Sequence, residues 1–518
     1  MEKTETTETF ISDINDTDGS ETLTVPKEVS NWKIYLYCMG VCLGAVALGK
    51  YSDQRYDVSV MGGTLILPSF ERDFGLIDKT QRQLDDLTSN IVSCFQGGMF
   101  LGALASYPIS DRWGRKWCIT IATIIFLAGA SIQTGSRGIV ALVMAGRCIA
   151  GLGIGASAPV IPVYIAEVAP PTIRGKLVGF YEIGSQGAQM LGFWVNYAVN
   201  KTISPNTSTQ WMVPLGLQLL PGAILLVVLP FCPESPRWLC GKDRWDQAER
   251  ILTDIRQLPI EHPYVAHELR EIRLAVEFEA HLASKHPGLR GKLKDLTKKG
   301  IRNRLAIGLC LMIYYSPRIF QTLGIQSTDL KLFATGFYGV AKTLGMVIFS
   351  FWVADHFGRR KGLIWGAFVG AGPMLYLGGF VMKNDPEAAV AAGRTTMSGW
   401  GYLAMVCVYL YGVIYCASWQ GITWLYASEI YPLYLRSLRM ALTIADERLW
   451  SYVVSRSTPY MISDIGYGTY FFFGALMVCM GLWAWWCIRE TKGVPIEEMD
   501  ALFGAPHANM EDADPKSA

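Results

Sequence analysis

Two ionisable side chains stand out inside apolar stretches of the first half of this sequence: Asp57 in "YDVSVMGG" and Arg147 in "GRCIAGLG". A charge in such surroundings is costly, so it faces an interior and meets an opposite charge or a polar cavity. Asp57 and Arg147 are therefore candidates for each other. The plainer alternative is that Arg147 is satisfied by other polar groups. A further set of charges recurs at matched offsets: Glu167 precedes Arg174 by seven residues, and Glu429 precedes Arg436 by seven. "DRWGRK", with Asp111 and Arg115, is echoed by "DHFGRRK", with Asp355 and Arg359. Paired acids and bases at helix ends can associate and separate, which is the chemistry of a gate. The bland reading is that basic loops only anchor topology.

The elements that must position these groups follow from composition. The chain has 518 residues, 51% apolar and 17% charged, with a net charge of +2. Soluble domains carry about 25% charged residues. The apolar surplus falls in blocks near 33–49 (extending towards 66), 90–108, 117–136, 139–163, 176–199 and 211–232. A second group lies near 305–323, 331–354, 363–382, 399–426, 438–462 and 468–488. About 20 helical residues cross a bilayer core of about 30 Å, so each block can span. The pattern predicts an all-α membrane protein of twelve transmembrane helices arranged as two six-helix bundles. Its expected parts are a disordered tail (1–31), a first bundle (32–233), linker helices (234–304), a second bundle (305–489) and a second tail (490–518).

Lys and Arg placement in short loops puts both termini in the cytoplasm, in agreement with sequons at Asn200 and Asn206 in an opposite-facing loop. The 12 cysteines have neither ligand nor disulfide spacing. "GLGIG", Gly151 to Gly155, lies within an apolar block and follows no strand, so close helix packing explains it better than a nucleotide. No metal, cofactor, nucleic-acid or catalytic constellation is expected, and the chain reads as a monomer rather than an enzyme. The duplicated halves imply a carrier with its substrate between them near mid-membrane. Glu234 and Arg237 of "PESPRW" add a contact to the polar linker, whose "DRWDQAERILTDIRQL" reads as an amphipathic helix.

"DRWGRK", "GRCIAGLGIGASAPVIPVYIAEVAPPTIRGKL", "PESPRWL", "DHFGRRK", "YASEIYP" and "ETKGVPIEEMDALFG" resemble the sugar porter family of the major facilitator superfamily. The likeness runs from about Trp32 to Phe503. "YEIGSQGAQMLGFWVNY" and "GYGTYFFFGALM" look like the fungal branch of quinate-permease-like and sugar-acid carriers. The resemblance implies import of a monosaccharide or related polyol acid across the plasma membrane by alternating access. It assigns proton coupling to Asp57 with Arg147; uniport is the open alternative. It gives substrate-facing roles to Trp419 and Gln420, and to Glu182 with Gln186 one turn later. Glu182 stands where many hexose carriers have Gln, and a buried Glu bonded within the bundle is the alternative reading.

The chain also departs from the family pattern. "KYSDQ" and Arg55 are extra before the "YD" motif, so Lys50, Asp53 and Arg55 match nothing. In the eleventh block "ADERLWSY" places Asp446, Glu447 and Arg448 in sequence, and three successive charges cannot face one cavity. Glu447 with Arg448 forms either a polar-ligand site or an unfavourable substitution. The seventh block lacks the family's "QQxxGxNA" segment, and Leu305 to Ser316 makes only about 18 Å of helix, roughly 12 Å short of the core. A carrier and a non-transporting sensor or defective paralogue both stay open, although sensors of this architecture carry longer tails.

Overall fold

The computed structural model describes residues 56–77, 79–285, 328–353, 357–384, 399–430 and 436–492, and isolated positions at 26, 33–34, 37, 302, 304–305 and 307. The extra residues at 50–55 and most of the shortened seventh block lie outside the described residues. Every regular element described is helical. The first half contains α1 (Tyr56–Thr64), α2 (Pro68–Asp73), α3 (Gln81–Trp113), α4 (Arg115–Thr134), α5 (Val140–Val168), α6 (Pro171–Thr202), α7 (Thr209–Leu217) and α8 (Leu219–Val228). Three linker helices follow: α9 (Pro236–Cys240), α10 (Trp245–Arg256) and α11 (Pro263–Lys285). The second half contains α12 (Thr328–Ile348), α13 (Arg359–Asn384), α14 (Gly399–Tyr415), α15 (Gly421–Ile430), α16 (Arg436–Ile465) and α17 (Gly468–Cys487). Single π-turns extend α12 through Phe349–Val353 and join α14 to α15 through Cys416–Gln420.

Seven described segments are long and apolar enough to cross a membrane. They correspond to the third, fourth, sixth, eighth, ninth, tenth and twelfth expected spans. The second, fifth and eleventh are α3, α6 and α16, with 33, 32 and 30 residues. Their length suffices, but their composition is more polar for a structural reason. Helix α3 packs on α16, and α6 packs on α12, so these helices form the seam between the halves. A helix facing a polar seam needs no continuous apolar surface.

Within the first half, α5 packs against both α3 and α4. Its glycines make that approach achievable. A Cβ on Gly151 would lie 2.3 Å from the Phe95 carbonyl oxygen, and one on Gly155 would lie 2.1 Å from that of Met99. Small residues let helix backbones touch, so "GLGIG" is packing surface. Helix α5 stops before Pro170–Pro171 because a residue preceding proline is driven out of the helical region, and Pro171 then opens α6.

The linker packs on one end of the first half. Arg256 of α10 donates to Glu268 of α11 at 2.9 and 2.6 Å and to the Val168 carbonyl at 2.9 Å. Ile251 and Ile255 join the core formed by α3, α4 and α5. The two termini of the bundle are hereafter the linker end and the far end.

Candidate functional site

The seam helices carry a belt of buried polar side chains at mid-height. Helix α6 buries Glu182, Ser185, Gln186 and Gln189, and α16 buries Arg448 and Ser451. Also in the second half, the π-turn after α14 buries Ser418, Trp419 and Gln420. Among the described residues, neither side-chain polar atom of Gln186 has a hydrogen-bond partner. An unsatisfied buried amide costs about 1–3 kcal/mol, so this position suits a polar solute or water. Gln420 accepts from the Cys416 thiol at 3.1 Å, while Trp419 packs with Met346, Phe349, Leu363 and Ile422. In α16, Arg448 and Glu447 form a 3.0 Å ion pair, whereas Asp446 bonds to Trp450. The three successive charges thus divide between two directions.

Arg147 is fully buried on α5. Its Nε donates to the Ile91 carbonyl at 2.9 Å, and its guanidinium lies 4.5 Å from the centre of the Phe95 ring. Asp57 lies on α1, but its side chain is outside the described residues. Helix α1 is itself fixed to α6: Asn196 donates to the Val60 carbonyl at 2.9 Å, and Thr64 donates to Asn196 at 3.2 Å.

At the linker end, Arg115 and Glu167 form a two-pronged pair at 3.0 and 2.9 Å. Ser235 donates its hydroxyl to the same Glu167 at 2.6 Å. Glu234 accepts the backbone N–H groups of Arg115 at 3.0 Å, Lys116 at 3.2 Å and Ser235 at 2.9 Å. A carboxylate there satisfies the open N–H groups at the start of α4 and faces the positive end of its dipole. Burial pushes the Glu234 carboxyl up, against those donors, which pull it down. Gly114, with φ +99°, makes the turn, and a Cβ on it would strike Glu234 at 2.3 Å. Asp111 is exposed, and its backbone carbonyl accepts the Trp238 indole N–H at 3.1 Å. Arg237 lies close enough for its charge to act on Glu167.

The second half repeats this arrangement with a residue that sequence inspection passed over. Glu490 accepts from the backbone of Arg359 at 2.7 Å and Arg360 at 3.1 Å, and Gly358, with φ +77°, makes the turn. Glu490 belongs to "RETKG", so comparing the sites that follow each "GR" turn would have found it. Asp355 lies outside the described residues, as do the side chains of Arg174, Glu429 and Arg436.

At the far end both seam pairs are closed. Arg456 of α16 donates to Asn90 of α3 at 2.5 Å, and Ser89 donates to the Ser455 carbonyl at 3.4 Å. Tyr460 donates to Asp86. On the other seam, Trp194 and Tyr197 of α6 pack against Phe333 and Phe337 of α12, with ring centres 5.6–6.0 Å apart.

Two helical half-bundles joined along a polar seam, with matched charge networks at one end, are the architecture of a major facilitator transporter rather than an enzyme. A family model described as "Sugar (and other) transporter" matches residues 41–503, and the chain belongs to that family. It is 40% identical over 492 residues to a "Probable quinate permease" of Aspergillus clavatus, covering 92% of this chain and 89% of the relative. It is 36% identical over 496 residues to the "Quinate permease" of Emericella nidulans, covering 92% and 90%. Among solved structures, the proton:xylose symporter XylE bound to 6-bromo-6-deoxy-D-glucose superposes with a TM-score of 0.72 at 26% identity, covering 91% of this chain and 99% of that one. The inward-open XylE from E. coli gives 0.68 at 26%, covering 90% and 99%. The expected fold and family therefore stand, and the protein is a multi-pass membrane transporter.

Proposed function

We propose that this protein imports a monosaccharide or a related cyclic polyol acid across the plasma membrane by alternating access, coupled to proton entry. The observation that carries the reading is the mid-height polar belt, above all Gln186, whose buried amide has no hydrogen-bond partner among the described residues. A solute rich in hydroxyls can satisfy such groups, and a half-bundle on each side can close over it. The names of the quinate permeases and of the proton:xylose symporter support the solute class and the coupling.

In this reading, residues 32–233 and 305–489 are the moving bundles and 234–304 tether them. Asp57 carries the proton opposite Arg147. Glu182, Gln186, Trp419, Gln420, Glu447 and Arg448 surround the solute. Asp111, Arg115, Glu167, Arg174, Glu234 and Arg237 form the linker-end gate of the first half, and Asp355, Arg359, Glu429 and Arg436 form that of the second. The linker end and both termini face the cytoplasm, and one copy of the chain suffices.

Uptake of labelled quinate and monosaccharides in transport-deficient cells, with external pH recorded, tests this. Concentrative uptake with alkalinisation of the medium is expected. Asp57→Asn should abolish accumulation and proton entry while leaving downhill exchange measurable. Uptake without alkalinisation in the parent chain would make it a uniporter, and no uptake despite surface expression would leave a sensor or defective paralogue.

A further inference from the structure

Lys342 lies outside the charge sets singled out in the sequence. It sits at the middle of the Leu332–Val353 span and is 1% exposed. A buried ammonium halfway along a membrane helix is costly, and such groups mark substrate or ion paths. Its surroundings are shaped for a cation. The Nζ atom lies 5.9 Å from the ring centre of Tyr338 on the same helix and 5.9 Å from that of Tyr415 on α14. Aromatic faces attract a cation without neutralising it. Gly412 provides the room: a Cβ there would lie 2.7 Å from the Tyr338 ring and 3.3 Å from the Lys342 stem.

The same place looks across the seam to α6. Lys342 and Glu182 both act electrostatically on the Cys416 thiol, so the two charges share one neighbourhood. Ile183, next to Glu182, packs on the cluster that contains Met346, Phe349 and Trp419. Gln186 is one turn further along α6.

We propose that Lys342 selects for a carboxylated solute: its ammonium, held between Tyr338 and Tyr415 at mid-membrane, receives the carboxylate of a polyhydroxylated acid whose hydroxyls meet Glu182 and Gln186 across the seam. This rests on the transport reading above and narrows its substrate class. A neutral sugar offers nothing to a cation here beyond hydroxyl oxygens. A carboxylate supplies a full opposite charge in a medium where the attraction exceeds that in water. Glu182 then serves as the counter-charge of the empty carrier, giving way to the solute when it binds.

The test is competition for uptake. Cells expressing the protein take up labelled quinate in the presence of unlabelled quinate or its neutral methyl ester. The free acid is expected to compete at least tenfold better than the ester. In Lys342→Gln that preference should fall to within twofold of unity, and Lys342→Arg should restore part of it. Glu182→Gln, which removes the internal competitor, should raise the apparent affinity for the acid. Equal competition by acid and ester in the parent chain overturns the proposal, as does a preference unchanged in Lys342→Gln. If Lys342→Gln fails to reach the surface, the parent ratio still decides the solute class. Gly412→Ala, which crowds the Tyr338 ring and the Lys342 stem without removing the charge, then decides the cradle that holds Lys342, and an unchanged ratio there rejects it. A parent chain that moves D-xylose but not quinate refutes Lys342 selectivity alone. A surface-expressed chain that moves neither refutes the transport reading as well.

Discussion

Arg115 and Asp73 show at residue scale how differently charges are used at the two ends. Arg115 and Glu167 are each only 11% exposed along their side chains, and they meet through two parallel bonds. Removing one partner of such a pair strands the other, at about 3–5 kcal/mol. Arg115→Ala and Glu167→Ala should each lose about 3 kcal/mol in thermal unfolding in detergent, and the double variant much less than their sum. Additivity within about 0.5 kcal/mol would mean that the two do not act together. Asp73, at the far end, accepts the Trp211 indole N–H at 2.8 Å and the Arg72 guanidinium at 2.7 Å. Burial pushes its carboxyl up, but hydrogen bonds from Ser208, Trp211 and Arg72 outweigh that and hold it below the ordinary value of 3.8. A carboxyl lowered by folding stabilises the fold above its unfolded value and loses that contribution as pH falls through its folded one. The stability advantage of the parent over Asp73→Asn should therefore stay flat from about pH 8 to 5 and shrink only below about pH 4. An advantage that declines already between pH 7 and 5 would contradict the assignment.

Among the elements, α5 is the piece on which the first half is built. It contacts α3 and α4 through glycines, and 78% of its most apolar stretch is buried. Gly155→Ala would push a methyl group against the Met99 carbonyl, and backbone cannot yield as a side chain can. A loss of about 1–3 kcal/mol or more is expected, read as lower surface expression and an earlier melting transition. Gly62→Ala on α1, where an added Cβ meets nothing within 4 Å, is the control and should be tolerated. The packing role of "GLGIG" was legible because a small-residue stripe inside an apolar block has few other uses. The seam helices were legible only in part. Their central apolar stretches marked spans, but α3 begins at Gln81 and α16 ends at Ile465, beyond the apolar blocks. Asp86 lies on the polar extension of α3 and Asn90 at the edge of its block, while Arg456 and Tyr460 fall within the eleventh block. Their pairing depends on which helices meet across the seam, and hydropathy does not contain that information. Lys342 was hidden for the converse reason. One lysine in a strongly apolar block barely lowers its mean hydropathy, and only the three-dimensional packing places Tyr338, Tyr415 and Glu182 around it. Glu490 was visible as part of a family motif, yet its partner turn at Gly358 lies 132 positions away (490 − 358).

For the whole molecule, the two ends of the seam are held by different chemistry. At the linker end, α3 and α16 meet through Tyr107, Leu438 and Leu442, which are apolar contacts. At the far end they meet through Ser89, Asn90 and Asp86 against Ser455, Arg456 and Tyr460, and water can replace bonds of that kind at little cost. Aromatic packing of Trp194 and Tyr197 on Phe333 and Phe337 closes the second seam, each pair worth about 0.5–1.5 kcal/mol beyond the area it buries. Far-end opening must therefore break several weak contacts together, which suits a carrier that rocks between two states rather than one that is permanently sealed. The Ser89 hydroxyl lies 3.4 Å from the Ser455 carbonyl, so the two residues are neighbours where α3 meets α16 and are the pair to crosslink. Ser89→Cys with Ser455→Cys, oxidised, should hold the far end shut and stop uptake, and a reductant should restore it. Each single variant should keep its uptake under the same oxidant. The double variant should also lose protection-dependent labelling differences at its far end, since no open state remains to be sampled. Uptake that continues through a fully formed Ser89→Cys, Ser455→Cys crosslink would mean that the far end does not open at this seam, and the rocking of α16 away from α3 would have to be abandoned.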